Sequence, residues 1–289
     1  MKTLIIDGNN LVHRCYWIAN NQAPEENSFL HVYMFLNSVK SYTEKYKPDQ
    51  IVCCWDEKKD YGVNERKEQF ADYKANRNKE YGQEVHAKNS YIKSLLELLG
   101  VKNFFPKRLE ADDCMAYLAK NIKGKKVIIT VDKDLCQCIN EHVIMYDPIR
   151  KVEITVDNFE DVCKVPQSRF LIEKCFRGDK SDNVPGVTGM GKKKIEKYFK
   201  GEYTVTNEQN EEFQRNYELF RLDKYETNEE ELGWYNEQLV SEDHKGDYKK
   251  FIEKCEELNL QSVLKSKDKW YNVFYFGKDF NDYIFKLLK

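Results

Sequence analysis

Three short apolar runs each lead into an aspartate, and this narrows the fold more than any other feature. Thr3–Ile6 runs into Asp7, Gln50–Trp55 into Asp56, and Lys125–Thr130 reaches Asp132. Runs this short and rich in β-branched residues read as buried strands. Helical patterns separate them. Phe29, Val32, Tyr33, Leu36 and Val39 share one face of a helix that Ser28 can cap. Tyr91–Leu99 is an apolar helix closed by Gly100. A further helix starts near Glu110 and carries Met115, Leu118, Ala119 and Ile122. Strands alternating with helices predict an α/β fold, a parallel sheet covered on both faces. Such sheets place their sites at the carboxyl ends of the strands, where the three aspartates fall. From Phe170 onward the pattern is helical, and Glu202–Ser262 carries no strand signal. The composition shift near Gly201 is the expected subdomain boundary.

Further acids gather in the same kind of place. Glu110, Asp112 and Asp113 open a helix, where acids suit the positive end of the dipole. Asp132 and Asp134 follow a strand, and Asp179 and Asp182 lie in a glycine-bounded turn. With Asp7 and Asp56 these make nine carboxylates, whose mutual repulsion calls for positive charge among them. Hard cations with oxygen ligands meet that need, and paired cations suit phosphodiester hydrolysis. Taken singly, each motif also reads as a solvated helix start or polar turn.

The net charge of −2 conceals a pattern. The nine acids supply −9, which leaves the rest of the chain at +7. Lys58–Lys79 has seven Lys/Arg against four Asp/Glu, and Lys192–Lys200 five against one. Glu202–Ser262 has 17 acids against seven bases, and so masks the basic patches in the total. No apolar run approaches the roughly 18 residues of a spanning helix, and the N-terminal apolar stretch is too short for a signal peptide. The nine cysteines include no Cys-x-x-Cys pair and mostly lie in apolar runs. They read as buried thiols in a reducing compartment rather than as disulfides or zinc ligands. The expected location is the cytoplasm, with no membrane contact.

Two motifs address nucleic acid. Gly178-Asp-Lys-Ser-Asp182-Asn-Val-Pro-Gly186 continues through Gly189 and Gly191 into Lys192, Lys193 and Lys194. Glycines allow close backbone approach, and a helix beginning near Gly191 would point amides at a phosphate. The lysines would neutralise neighbouring phosphates. Arg66 to Arg77 forms a polar stretch in which Lys74 and Arg77 would share a helix face and clamp a phosphate. Tyr73 could stack on an unpaired base.

In this order, the motifs resemble the 5′-nuclease (flap endonuclease) family, particularly phage enzymes and the 5′-nuclease domain of bacterial DNA polymerase I. The likeness covers roughly Met1 to Lys200. It rests on nine filled acidic positions, Tyr73-Lys-Ala-Asn-Arg77 and the Gly178–Gly191 signature. Departures from the family pattern are Ala71 and Thr188, where proline is frequent, and Met190, where isoleucine is usual.

The resemblance implies a PIN-like α/β nuclease domain over 1–165 with a helical arch at about 57–84. A helix–turn–helix-like duplex-binding element over 166–201 and a helical region over 202–289 would follow. It further implies 5′-3′ exonuclease and 5′-flap endonuclease activity with two or more divalent cations, Mg²⁺ or Mn²⁺. Asp7, Asp56, Glu110, Asp112 and Asp113 would form one metal cluster, and Asp132, Asp134, Asp179 and Asp182 the other. Lys74, Arg77 and Asp134 would be catalytic. Arg66, Tyr73, Lys74, Arg77, Gly189, Gly191 and Lys192–Lys194 would meet DNA. Potassium would sit near Val187, Gly189 and Gly191. Expected partners are branched or flapped DNA, duplex with a 5′ single-stranded arm, and RNA–DNA hybrid, acted on by a monomer. A PIN-like ribonuclease and a non-catalytic branched-DNA-binding protein are the alternatives. The acidic stretch or the aromatic C-terminus (Trp270, Tyr271, Phe274, Tyr275, Phe276) could meet a replisome component or single-strand-binding protein, but internal packing is the simpler reading.

Overall fold

A computed structural model describes residues 1–22, 29–56, 64–76, 88–240 and 246–275. Its sheet contains β1 (Lys2–Asp7), β2 (Gln50–Cys54), β3 (Lys102–Phe104), β4 (Lys125–Ile129), β5 (Val143–Asp147) and β6 (Val152–Ile154). The spatial order is β3-β2-β1-β4-β5-β6. The first five strands are parallel, and β6 closes antiparallel on β5. The chain winds from β1 out to β3, then crosses to β4 on the other flank. The winding direction therefore reverses between β1 and β4, where a crevice opens at the strands' carboxyl ends. Asp7 and Asp132 stand on its two sides.

Period-two alternation feeds two cores. Leu4, Ile6, Cys53, Val127 and Ile129 belong to one, Ile5, Val52, Cys54 and Ile128 to the other. Helices Gly8–Gln22, Leu30–Tyr46 and Asn89–Leu98 cover the first, and helix Ala111–Asn121 covers the second. Ser28 lies outside the described residues, and Phe29 occupies the cap position of its helix. The nine cysteines are free thiols.

The acidic stretch after Gly201 folds as helices Asn207–Phe220, Glu229–Val240 and Tyr248–Glu257. Helix Asn207–Phe220 packs Leu219 and Phe220 into a smaller cluster with Tyr73, Cys175 and Val184, and the rest shares the cores of the sheet domain. Tyr225 and Tyr235 enter the second core, while Phe251, Trp270, Phe274 and Tyr275 enter the first. Trp270 and Phe274 stack at 6.0 Å. The C-terminal aromatics thus pack inward, apart from Phe276, which lies outside the described residues. The shift near Gly201 is a change of composition, and the segments beyond helix Asn207–Phe220 return to the two sheet cores. Among the described residues no helix is long and apolar enough to cross a membrane.

Candidate active site

Three strand ends, the start of helix Ala111–Asn121 and the 179–184 loop bring eight of the nine expected acids to one cleft. Asp7 ends β1, where its carboxylate accepts from Thr130 Oγ1 at 2.7 Å and Asn10 N at 2.9 Å. Asp56 follows β2 and accepts from Asn9 Nδ2 at 2.7 Å and Ala111 N at 2.6 Å. That second bond ties β2 to the helix bearing Asp112. Asp132 feels both sides. It acts electrostatically on Asp7, Asp112 and Asp134, and its Oδ1 accepts from Asp134 N at 2.8 Å. The two expected clusters therefore meet at Asp132.

Asp134, Asp179 and Asp182 form the other group, each with a carboxylate oxygen within 4.8 Å of the others'. A tight loop shapes it, because Asp179 and Val184 exchange backbone hydrogen bonds at 2.8 Å in both directions. Gly178 enters that loop at φ 70, and a Cβ there would stand 2.4 Å from Gly186 N. Between Asp134 and Asp179 sits Lys174, a residue the sequence reading missed. Its ammonium pairs with Asp134 and lies 2.8 Å from Asp179 Oδ2. The available signal was a lysine five residues before an aspartate of the motif, on a helix leading into it.

The arch expectations need correction. Lys74 does face the acids, with Nζ 2.8 Å from Glu110 Oε1. It lies in a turn rather than on a helix, at φ 55, with its N–H bonded to Asp182 O at 2.8 Å. Asn183 Nδ2 bonds Asp72 O at 2.9 Å, so this turn docks on the 179–184 loop. Arg77 lies outside the described residues, as does most of the expected arch. Tyr73 is 3% exposed and donates to Glu110 Oε2 at 3.0 Å, so it supports the site and offers no face to a base.

Arg66 is 2% exposed and grips Asp113, which is fully buried, through bonds of 2.5 and 2.8 Å. Its Nε donates to Leu219 O at 2.7 Å. Arg66 therefore makes no DNA contact in this arrangement. Asp113 likewise makes a capping box with Glu110 and leaves the metal set. Both were exposed-looking charges in sequence, and each is buried because the other compensates it.

Beyond the cleft, Gly189 has φ 73, and Gly191 precedes helix Lys192–Phe199 with nothing of the protein within 4 Å of where a Cβ would stand. Lys192, Lys193 and Lys194 are exposed there. A hollow of about 480 Å³ runs along Gly186, Val187, Gly189 and Lys192.

The donor set fits divalent cations. The donors are carboxylate oxygens, and their crowding works against simultaneous ionisation. Burial, then Asp132 and Asp56, pushes Asp7 up to about 7 against the bonds from Asn10 and Thr130. Burial and the Asp132 charge raise Asp134 to about 6 against the pull of Lys174. Burial also acts on Glu110, but Lys74 and Arg66 outweigh it and hold that carboxyl at about 2.

A folded-state Asp7 that keeps its proton to about pH 7 costs stability as pH rises from about 4 to 7, because the unfolded chain releases it first. In EDTA, Asp7→Asn is therefore expected to stabilise the protein at pH 8 by roughly 1–3 kcal/mol, and less at pH 5. Urea midpoints of both proteins at both pH values check this. An advantage that grows toward pH 5 would contradict it.

Residues 2–164 match the family model of the 5′-3′ exonuclease N-terminal resolvase-like domain. A 5′-3′ exonuclease of Aquifex aeolicus is 31% identical over 93% of this chain and 96% of its own. The DNA polymerase I of Caldicellulosiruptor bescii is 29% identical over 72% of this chain, which spans only 25% of that larger protein. Among solved structures, the bacteriophage T5 flap endonuclease in a pseudo-enzyme-product complex with DNA and metal ions aligns with a TM-score of 0.62. The identity is 20%, covering 89% of this chain and 100% of that one, so this likeness speaks for the fold. The chain therefore belongs to the 5′-3′ exonuclease family.

Proposed function

We propose that this protein cuts DNA at 5′ flaps and 5′ ends, with catalysis in the cleft between β1 and β4. The observation that carries the reading is the meeting of both acid groups at Asp132, with Lys74 and Lys174 as inward cations. Asp7, Asp56, Glu110, Asp112 and Asp132 would hold one part of the metal centre, and Asp132, Asp134, Asp179 and Asp182 the other. Divalent cations bound there, Mg²⁺ or Mn²⁺, supply Lewis-acid polarisation of the phosphodiester and a water that ionises near neutral pH.

The chain's own residues do the rest. Lys74 leaves Glu110 partly for the scissile phosphate and offsets charge as it develops. Its positive φ costs about 1–2 kcal/mol, which suits a side chain held in place for function. Lys174 bridges Asp134 and Asp179 and offsets the repulsion between them. The amides near Gly191 and the exposed Lys192–Lys194 hold the duplex backbone. The carbonyls of Val187, Gly189 and Gly191 are proposed to take potassium there. Bringing the terminal nucleotide to the acids requires unpairing it. RNA primers in hybrids are included among the proposed substrates, and the protein is proposed to act as a cytoplasmic monomer.

Lys74→Ala is expected to slow cleavage about 100-fold and to lower the salt slope of DNA binding by about 1. Single-turnover rates and binding at several salt concentrations check it, and an unchanged rate would remove Lys74 from the reaction. A flapped DNA compared with single-stranded RNA separates this reading from a PIN-like ribonuclease. Preferred cutting of the RNA would favour the ribonuclease.

A further inference from the structure

The peptides just before Glu110 are held by a residue 122 positions beyond Leu109. Glu231 is fully buried in the first turn of helix Glu229–Val240. Asn228 caps that helix by accepting from Glu231 N at 3.0 Å. In a capping box the glutamate at this position returns the favour to the cap residue's N–H. Here Asn228 N–H bonds Tyr225 O at 3.2 Å instead. The Glu231 carboxylate is thereby released to another element. Its Oε1 accepts from Arg108 N, and from Leu109 N at 3.2 Å. These two backbone donors and the helix's positive end suit a buried carboxyl group at this position.

The neighbouring C-terminal residues grip the arch base at the same place. Arg66 bonds Leu219 O, Lys224 Nζ lies 2.8 Å from Gln69 Oε1, and Asn228 Nδ2 bonds Glu65. The arch base in turn joins the loop before Glu110 through Glu68 and Arg108 at 2.6 Å. Residues 219–231 thus abut both the arch base and the approach to the acid cleft.

We propose that Glu231 is a positioning residue of the nuclease site. Its carboxylate fixes the Arg108 and Leu109 peptides, and so sets Glu110 against Lys74 and Tyr73 and aligns Ala111 N with Asp56. This rests on the cleft being the metal-binding nuclease centre. What matters is the reach of the acceptor more than its charge. Glu231→Gln keeps an acceptor at full reach without the charge, and Glu231→Asp keeps the charge one methylene short.

The test measures amide exchange at Arg108 and Leu109 in EDTA, and the Mg²⁺ concentration for half-maximal flap cleavage, on wild type and both variants. Thermal melts monitor folding. Wild type and Glu231→Gln are expected to protect both amides, with Mg²⁺ requirements within about threefold of each other. Glu231→Asp is expected to lose that protection and to need about tenfold more Mg²⁺, the size of effect seen when a ligand's supporting bonds are removed. Three results would overturn the inference. These are unprotected amides in the wild type, a folded Asp variant that matches wild type in both readouts, and a Gln variant as impaired as Asp. Protected amides in a wild type that cuts nothing in Mg²⁺ would instead refute the nuclease reading and leave the contact standing.

Discussion

Asp134→Asn is expected to lower flap cleavage on the order of 10³-fold or more, with DNA affinity in EDTA within about twofold of wild type. A loss of 10³ corresponds to about 4 kcal/mol of transition-state stabilisation, within reach of one lost charge among cation-binding acids. Asp134 is the pivot of its group. Asp132 holds its N–H, Lys174 pairs with its carboxylate, and Asp179 and Asp182 complete the cluster. Asparagine preserves shape and one acceptor, so folding should survive, and it leaves the basic helix at Lys192 untouched. Binding and single-turnover cleavage measured on the same flapped duplex separate the two effects. Wild-type turnover in the variant would remove Asp134 from the centre, and a matched loss of affinity would make it a binding residue.

Arg66→Leu is expected to destabilise the protein by about 3–5 kcal/mol, because it strands the Asp113 charge in the interior. Arg66 also donates to the carbonyls of Leu219 and Arg221 at the end of helix Asn207–Phe220. The double variant Arg66→Leu with Asp113→Leu should recover part of the loss, since no orphaned charge remains. Urea denaturation of the wild type, both single variants and the double variant measures the coupling. A DNA-contacting arginine would behave oppositely. Its loss would weaken binding and leave the urea midpoint in place. That outcome would contradict the burial described above.

β1, β2 and β4 were legible because each is short, β-branched and followed by an acid, whereas β5, which also ends in an aspartate, Asp147, was not read. Together the first three predicted the parallel sheet and the edge where the acids gather. β3 and β6 have three residues each, too few for any period to register. At the site, the acids and Lys74 could be read from their order in the chain. The positions of Arg66 and Asp113 could not, because burial of a charge depends on a partner 47 residues away. Lys174 was hidden for a related reason. Its helix carries a basic last turn, which reads as ordinary dipole compensation until the Asp134 loop folds against it. Internal packing was the simpler reading of the C-terminal region, and its tyrosines and tryptophan do complete both cores, but nothing in the sequence marked Glu231 as turned inward to the approach loop.

The central claim is tested most directly with a 5′-flap duplex labelled at both ends, incubated with Mg²⁺ or with EDTA. The account predicts Mg²⁺-dependent release of the flap near the junction, read from the 5′ label, and no cutting in EDTA. An intact duplex in Mg²⁺, under conditions where binding is demonstrated, would contradict it and favour a non-catalytic branched-DNA-binding protein.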